Sequence, residues 1–352
     1  MTTVETISTT APAPRGTASQ ILLELLSREP GSPASDVSHL AETVDRALAD
    51  SGDLLTDDDL QLTLFILYLL HYGPVPFVVG DWEWHPGLLA VRARIEAEFE
   101  TALRKVVQLP DAARGDNAPT GAEVTQMLFD LTNEVARPEL AMWAARHATD
   151  EQLREFLILR SIYTLREADP HSWAIPRLRG RAKAALVEIQ SDEYGGGRPE
   201  RLHASIFART LRGMGLSDTP DAYLNLVPAV TLASVNTMSF FGLHRRLRGA
   251  IVGHLAAFEM TSSLPNKHYG NAFRRLGHGP EVTWYYDEHV EADAVHEQIA
   301  ARDLAGSLAD DDPEVAADIV FGACASLHMD DLVGAHLKTA WTEGHSALRE
   351  AR

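Results

Sequence analysis

Apolar side chains recur at helical spacing along most of the chain, while stretches that alternate between apolar and polar residues are scarce. Loops are predicted where prolines and glycines cluster, at 73–87 and 109–121. Helices are predicted over 18–27, 34–50, 57–72, 88–107, 122–134, 149–168, 177–194, 199–214, 218–228, 230–241, 247–260, 284–308 and 312–350. A chain with so many helical segments and no recognisable strand pattern predicts an all-α fold.

Composition narrows the classes of partner. Hydrophobic residues make up 45% of the chain and charged residues 23%, which is typical of a globular protein. The net charge of −19 would repel phosphate backbones and anionic lipids, so we expect neither nucleic acid nor membrane as a partner. The sole cysteine, Cys324, excludes an internal disulfide and a thiolate metal cage, which favours a reducing, cytoplasmic location.

The chain divides into three predicted regions. Residues 1–17 are rich in Thr, Ala, Pro and Ser and lack the basic and apolar parts of a signal peptide, so a disordered leader is predicted. Residues 18–120 form an N-terminal helical region, and 121–352 form a second helical domain. The most apolar run, LQLTLFILYLL at 60–70, is shorter than the roughly 20 residues that span a bilayer, and a buried core helix is predicted there.

Three ligand-type side chains share one face of a predicted helix near the C-terminus. His289, Asp293 and His296 stand at positions i, i+4 and i+7, and therefore project together over two helical turns. Acidic neighbours such as Glu288 and Glu291 leave a solvated polar face as the alternative. The tyrosines just before them, Tyr285 and Tyr286, are interpreted with Trp284 as core residues rather than pocket lining.

Other acids and one imidazole fall on faces that should be buried. Glu259 shares the apolar face of its helix with Val252 and Leu255, and burying a carboxylate is costly unless a cation or strong donors pair with it. Glu167 lies on the inward face of the 149–168 helix. Glu193 precedes a run of three glycines, and His203 follows it by ten residues.

Together these residues predict a metal centre. The predicted ligands are four carboxylates and three imidazoles: Glu167, Glu193, His203, Glu259, His289, Asp293 and His296. Carboxylate and imidazole without thiolate suit iron or manganese, two ferrous ions would balance four carboxylates, and one zinc ion would leave most of the set unused. Glu200 is the alternative to Glu193. A second acid and histidine cluster is interpreted as solvated or structural: His328, Asp330, Asp331 and His336.

Four features of the sequence resemble the heme-oxygenase-like diiron oxidases and oxygenases, and most closely their N-oxygenating branch. They are the acid Glu167, the DEYGGG segment with His203 after it, Glu259 near the end of an apolar helix, and the H-x3-D-x2-H pattern. The resemblance covers about 122–345. It implies a heme-oxygenase-like helical bundle at 121–352 with an N-terminal helical extension that helps to form a homodimer.

The resemblance also implies a chemistry. Seven ligands would hold two iron ions as a diiron cofactor, with O2 as cosubstrate and an external reductant or electron-donor protein. The substrate would be a small amine, guanidine or aminoheterocycle, oxidised to an N-hydroxy or nitro product in a biosynthetic pathway. Two alternatives stay open: a diiron oxidase that cleaves C–C bonds of an amino or fatty acid, as a decarboxylase or desaturase would, and a metal-free helical binding protein.

Overall fold

The structure is a computed structural model that describes residues 11–31, 36–115, 117–134 and 138–350, apart from the side chains of 134 and 291–295. Within these ranges every regular element is helical and no strand is present, so the predicted all-α class is confirmed. No helix in the described part of the chain has both the length and the apolar character needed to cross a membrane.

The chain forms two compact units. The first unit comprises Met1–Val106, Asp221–Asn236 and Arg349–Arg352. Its helices before residue 107 are α1 (Thr17–Leu26), α2 (Ser38–Asp50), α3 (Asp58–Leu69) and α4 (Pro86–Val106).

Helix α3 is the centre of the first unit. Its residues from Leu60 to Leu69 are all buried, as expected for a helix that is apolar on every face. The late segment 221–236 joins it through Asn236, whose amide donates to the backbone carbonyl and side-chain oxygen of Gln61 at 3.0 and 2.8 Å. The buried core helix predicted at 60–70 is thus confirmed.

The second unit comprises Val107–Pro220 and Thr237–Leu348. Its helices, with α11 continuing from the first unit, are α5 (Gly121–Glu134), α6 (Glu139–His147), α7 (Asp150–Thr164), α8 (Asp169–Ser172), α9 (Gly180–Glu193), α10 (His203–Gly213), α11 (Ala229–Leu243), α12 (Arg248–Thr261), α13 (Ser263–Arg275), α14 (Pro280–Gln298), α15 (Ser307–Asp311) and α16 (Ala316–Thr342). A π-helical segment, Ile299–Gly306, connects α14 to α15.

Helix α7 begins where the sequence predicts. The Thr149 hydroxyl accepts from the backbone N–H of Gln152, and the Gln152 side chain accepts from the N–H of Thr149, at 3.2 and 2.9 Å. This capping box satisfies two N–H groups that the helix leaves unpaired. The helix ends at Thr164, however, earlier than the predicted 168, and Glu167 therefore lies in the turn that follows it.

Two glycines let α12 and α16 cross at close range. A Cβ atom at Gly253 would lie 1.8 Å from the carbonyl oxygen of Ile319, and one at Gly322 would lie 1.9 Å from that of Ala250. Backbones can approach this closely only where no side chain intervenes. The crossing fixes the position of α12, whose last turn carries Glu259.

Candidate metal centre

Six of the seven predicted ligands meet in the second unit as two groups of three. The first group is Glu167, His203 and His289, and the second is Glu193, Glu259 and His296. Within each group, one donor atom from every residue lies within 4.8 Å of the others.

The two groups draw on separate elements. Glu167 follows α7, Glu193 is the last residue of α9, and His203 is the first residue of α10. Glu259 is on α12, and both His289 and His296 are on α14. Asp293 lies between these two histidines on α14, but its side chain is outside the described part of the structure.

In the first group the donors face a common point. Glu167 Oε1 lies 3.9 Å from His203 Nδ1 and 3.8 Å from His289 Nε2. These separations are too long for hydrogen bonds. They match donors around one ion, because each metal–ligand bond is about 2 Å long.

One of these atoms is buried without a partner among the described residues: Glu167 Oε1 forms no hydrogen bond there. His203 Nδ1 is also buried without an aligned hydrogen bond, although Glu193 Oε1 lies 3.0 Å away. An unsatisfied buried polar atom costs free energy, and buried polar atoms in folded proteins are nearly all paired. A cation bound beside Glu167 Oε1 would satisfy this atom, so the residues present fit a metal ion.

The second group is in contact with the first through His203 and Glu193. His203 Nδ1 lies 3.0 Å from Glu193 Oε1, and in the second group Glu259 Oε2 lies 3.2 Å from His296 Nδ1. Glu193 therefore stands between the imidazole of one group and the donors of the other.

Neighbouring groups orient the donors. The Tyr285 hydroxyl donates to Glu167 Oε2 at 2.7 Å, and His289 Nδ1 donates to the Tyr285 carbonyl at 2.8 Å. With its Nδ1 proton engaged, His289 turns the lone pair of Nε2 toward Glu167. Histidine ligands in metal sites are commonly held by such a hydrogen bond from the other nitrogen.

The charges in the centre perturb one another. Burial raises the pKa of Glu167 to about 8, and the nearby charge of Glu193 adds to the rise. Burial also raises the pKa of Glu259. Burial lowers the pKa of His289 to about 4, with His203 adding to the effect, which leaves this imidazole neutral, the form that binds metal. A cation would relieve the repulsion among the carboxylates.

The alternative acids lie elsewhere. Glu200 is in an exposed 3-10 turn, Pro199–Arg201, and belongs to neither group. Asp330 and Asp331 are exposed on α16, and His336 Nε2 donates to the Ala347 carbonyl at 2.9 Å.

Three residues near the centre are not among the residues predicted for it. Asp192 Oδ2 lies 2.9 Å from His296 Nε2. His171 Nε2 and His254 Nδ1 lie 3.2 Å apart, and both side chains are buried. The position of Asp192 directly before Glu193, and of His254 on the apolar helix that carries Glu259, are the only hints that the sequence offers. The tyrosine at 285 is buried, as predicted, and also holds Glu167.

A helical domain that brings carboxylates and imidazoles together without a thiolate is typical of proteins that bind iron or manganese. The chain belongs to the family of iron-containing redox enzymes: the family model matches residues 154–331, half of the chain and the part that contains all seven predicted ligands. The protein is therefore an oxidoreductase.

Two individual proteins are similar to parts of this chain. The chain is 26% identical over 215 residues to nitrosourea synthase from Streptomyces achromogenes subsp. streptozoticus; the match covers 60% of this chain and 42% of that protein. The crystal structure of a CADD-like protein of unknown function from Nostoc punctiforme aligns with a TM-score of 0.49 and 14% identity, over 61% of this chain and 97% of that one. The family match confirms the resemblance to the heme-oxygenase-like diiron superfamily, and the similarity to nitrosourea synthase supports its N-oxygenating branch.

Proposed function

We propose that the protein is a non-heme diiron N-oxygenase, which uses O2 to oxidise a small amine, guanidine or aminoheterocycle to an N-hydroxy or nitro product. The observation that carries the proposal is the contact between the two donor groups, 3.0 Å from His203 Nδ1 to Glu193 Oε1. Residues of the two groups would together hold two iron ions, as carboxylates and imidazoles do in helical di-iron carboxylate proteins.

Charge supports a pair of ions. Glu167, Glu193 and Glu259 carry up to three negative charges, and Asp293 is the fourth carboxylate that we assign to the centre. Two ferrous ions would neutralise these four charges in a site where unpaired charge is expensive. His203, His289 and His296 then complete the coordination as neutral ligands.

Nitrogen is the favoured site of oxidation. Nitrosourea synthase is named for a product in which nitrogen is bonded to oxygen. The family match at 154–331 contains the whole predicted donor set of this chain. In hydroxylation of an amine, one atom of O2 replaces N–H by N–OH and the other leaves as water. Two electrons and two protons balance this reaction, and we assign them to an external reductant.

The described residues have definite roles in this reaction. When bound, the iron ions supply the activation of O2. Tyr285 holds Glu167 through its hydroxyl and His289 through its carbonyl, which fixes the first group. The buried ring of Phe207 packs against that of Tyr285, 5.1 Å between centres, and shields this side of the first group from bulk water.

The test has two stages. The purified chain is loaded with ferrous ion without oxygen, and bound iron is counted; we expect two ions per chain. The loaded protein is then exposed to isotopically labelled O2 with a reductant and a set of amines, guanidines and aminoheterocycles, and mass spectrometry locates the label. Label on nitrogen supports the proposal. An alkene, aldehyde or released carboxyl carbon would instead establish the C–C-cleaving alternative, and a chain without iron would overturn both.

The assembly is a separate proposal. We infer that the N-terminal helical region, 18–120, forms the interface of a homodimer. Light scattering on the full chain after size exclusion tests this, with a mass of about twice 38.6 kDa expected. A monomer at micromolar concentration would contradict it without affecting the diiron proposal.

A further inference from the structure

The short helix α8 begins two residues after Glu167, and its side chains contact two other helices. One of them is α9, which ends at Glu193, and the other is α12, which carries Glu259. The glutamates of the two donor groups are thus connected through α8 as well as through the centre itself.

A chain of hydrogen bonds joins α8 to the end of α9. The Tyr194 hydroxyl donates its one proton to Asp169 Oδ1 at 2.8 Å, and therefore accepts from the Ser172 hydroxyl at 2.9 Å. The Gln190 amide donates to Ser172 Oγ and to the Ala168 carbonyl, both at 2.8 Å. Four hydrogen bonds therefore hold the two segments together.

This chain of hydrogen bonds lies mostly inside the protein. Gln190 is buried, and both of its amide protons are used here. Tyr194, Asp169 and Ser172 are half-buried. A hydrogen bond to a carboxylate is roughly twice as strong as one between neutral groups. Loss of the Tyr194 hydroxyl would remove one bond of each kind.

Tyr194 links the backbones that carry one glutamate from each donor group. It directly follows Glu193, and its partner Asp169 comes two residues after Glu167. The two glutamates face the same imidazole: His203 Nδ1 lies 3.0 Å from Glu193 Oε1 and 3.9 Å from Glu167 Oε1. Functional sites tolerate displacements of only about 0.5 Å, so the link between these backbones affects the geometry of the centre.

The residue after Tyr194 is fixed against α10. Gly195 has a φ of +65°, and a Cβ atom on it would lie 2.5 Å from the carbonyl carbon of Arg201 and 2.7 Å from the nitrogen of Leu202. Only glycine permits this approach. Because Leu202 directly precedes His203, the segment around Tyr194 is held between α8 and the start of α10.

A second contact holds α8 against α12. His171 Nε2 lies 3.2 Å from His254 Nδ1, both rings are buried, and His254 precedes Glu259 by five residues on α12. A helix of four residues is too short to be stable by itself. The position of α8 therefore depends on these side-chain contacts.

Resting on the diiron function proposed above, we propose that Tyr194 is a positioning residue that couples the two donor groups. Its hydroxyl holds Asp169, and with it the turn of Glu167, at a fixed separation from Glu193. A glutamate that holds an ion is restrained, and the hydrogen bonds of Tyr194 pass this restraint to the glutamate of the other group. The second ion then binds to donors that are already ordered, which costs less conformational entropy.

Stepwise binding of ferrous ion to the full chain, without oxygen, tests the coupling. Calorimetry gives the dissociation constants of the first and the second ion. In Tyr194→Phe, we expect the constant of the second ion to rise about 10-fold relative to that of the first, as for other groups that orient metal ligands. Asp169→Ala should show the same rise, and Asp169→Asn, which keeps an oxygen that can accept from Tyr194, a smaller one.

Thr149→Ala is the control for stability. It removes the capping box of α7 and should lower the midpoint of thermal unfolding by about 2–4 °C, while the ratio of the two iron constants stays as in the wild type. Circular dichroism verifies that each variant is folded. If Tyr194→Phe does not fold, Ser172→Ala takes its place, because it removes the hydroxyl that donates to Tyr194.

The outcomes separate this inference from the proposed function. A ratio that changes equally in Tyr194→Phe and Thr149→Ala overturns the coupling, because any loss of stability would then produce it. Fewer than two ions in the wild-type protein overturn the diiron function and the coupling with it. Two ions in the wild type, with the same ratio in Tyr194→Phe, remove only the role of Tyr194 and leave the diiron function standing.

Discussion

The exposed carboxylate of Asp192 lies 2.9 Å from Nε2 of the buried His296; the side chains are 61% and 2% exposed. On the other side of the ring, Nδ1 faces Glu259 Oε2 at 3.2 Å. Asp192 therefore favours the tautomer with the proton on Nε2, which leaves the Nδ1 lone pair directed into the second donor group.

Asp192→Ala should weaken iron binding at one of two sites by about 10-fold, because loss of such an outer carboxylate typically costs 10- to 100-fold in affinity. Asp192→Asn, which keeps an acceptor oxygen, should lose less. Iron titration without oxygen measures both. Glu188→Gln, an exposed acid on the same helix, is the control and should bind like the wild type.

Tyr285→Phe should lower iron affinity at the first group and reduce the free energy of unfolding by about 1 kcal/mol, since the hydroxyl donates to buried Glu167. Tyr286→Phe is the matched control: its hydroxyl has no partner among the described residues, so iron affinity should be unchanged. Equal effects of the two substitutions would contradict the assigned role of Tyr285.

Single ligand substitutions should each remove one ion. Glu259→Gln alters the second group only, and His289→Ala the first, so each variant should bind about one iron per chain instead of two. Asp293→Ala tests the predicted ligand whose side chain is not described, and iron occupancy should fall there as well. An Asp293→Ala protein with two irons and normal turnover would remove Asp293 from the set.

The buried His171–His254 pair predicts acid sensitivity. Burial, with the neighbouring His171, lowers the pKa of His254 well below its usual value of 6.5. Below pH 6.5 the unfolded chain takes up a proton at this position that the folded chain does not, so the free energy of unfolding falls as the pH falls. Neither state is protonated above that pH, and the effect is absent there.

The free energy of unfolding should fall between pH 7.5 and pH 5.5 in the wild-type protein. In His254→Gln we expect this fall to be smaller by at least about 1 kcal/mol. Urea denaturation at the two pH values measures the difference, and His39→Gln, at an exposed position, provides the control. Parallel losses in all three proteins would show that the pair does not contribute.

Gly322→Ala should destabilise the second unit by about 2–4 kcal/mol, because the new methyl group would collide with the Ala250 carbonyl. Gly334→Ala lies on the same helix with no atom within 4 Å of the added Cβ, and should stabilise it by about 1 kcal/mol. Thermal denaturation compares them. A neutral Gly322→Ala variant would show that the helices do not need this close crossing.

Helix positions and the candidate donors follow from local rules. Apolar spacing predicts helices, the Thr149 capping box sets the start of α7, and buried positions predict which acids need a partner. Some errors lie at helix ends: α7 stops before Glu167, and the predicted 284–308 helix becomes π-helical at Ile299. The helix predicted at 218–228 is wrong, because the chain there forms turns and one short 3-10 segment, Leu224–Leu226, and helices α6 and α13 were not predicted. These ends depend on contacts between elements, such as the Thr125 hydroxyl that donates to the Ala301 carbonyl at 3.1 Å.

The sequence by itself determined which residue types are available and that His289 and His296 share a helix face, because helical periodicity acts between near neighbours. Only the tertiary structure decided that these two histidines join different groups, His289 with Glu167 and His296 with Glu259. The same holds for Asp192 beside His296. The physical reason is that these contacts join residues on separate helices, whose crossing is set by side-chain packing that no local spacing encodes.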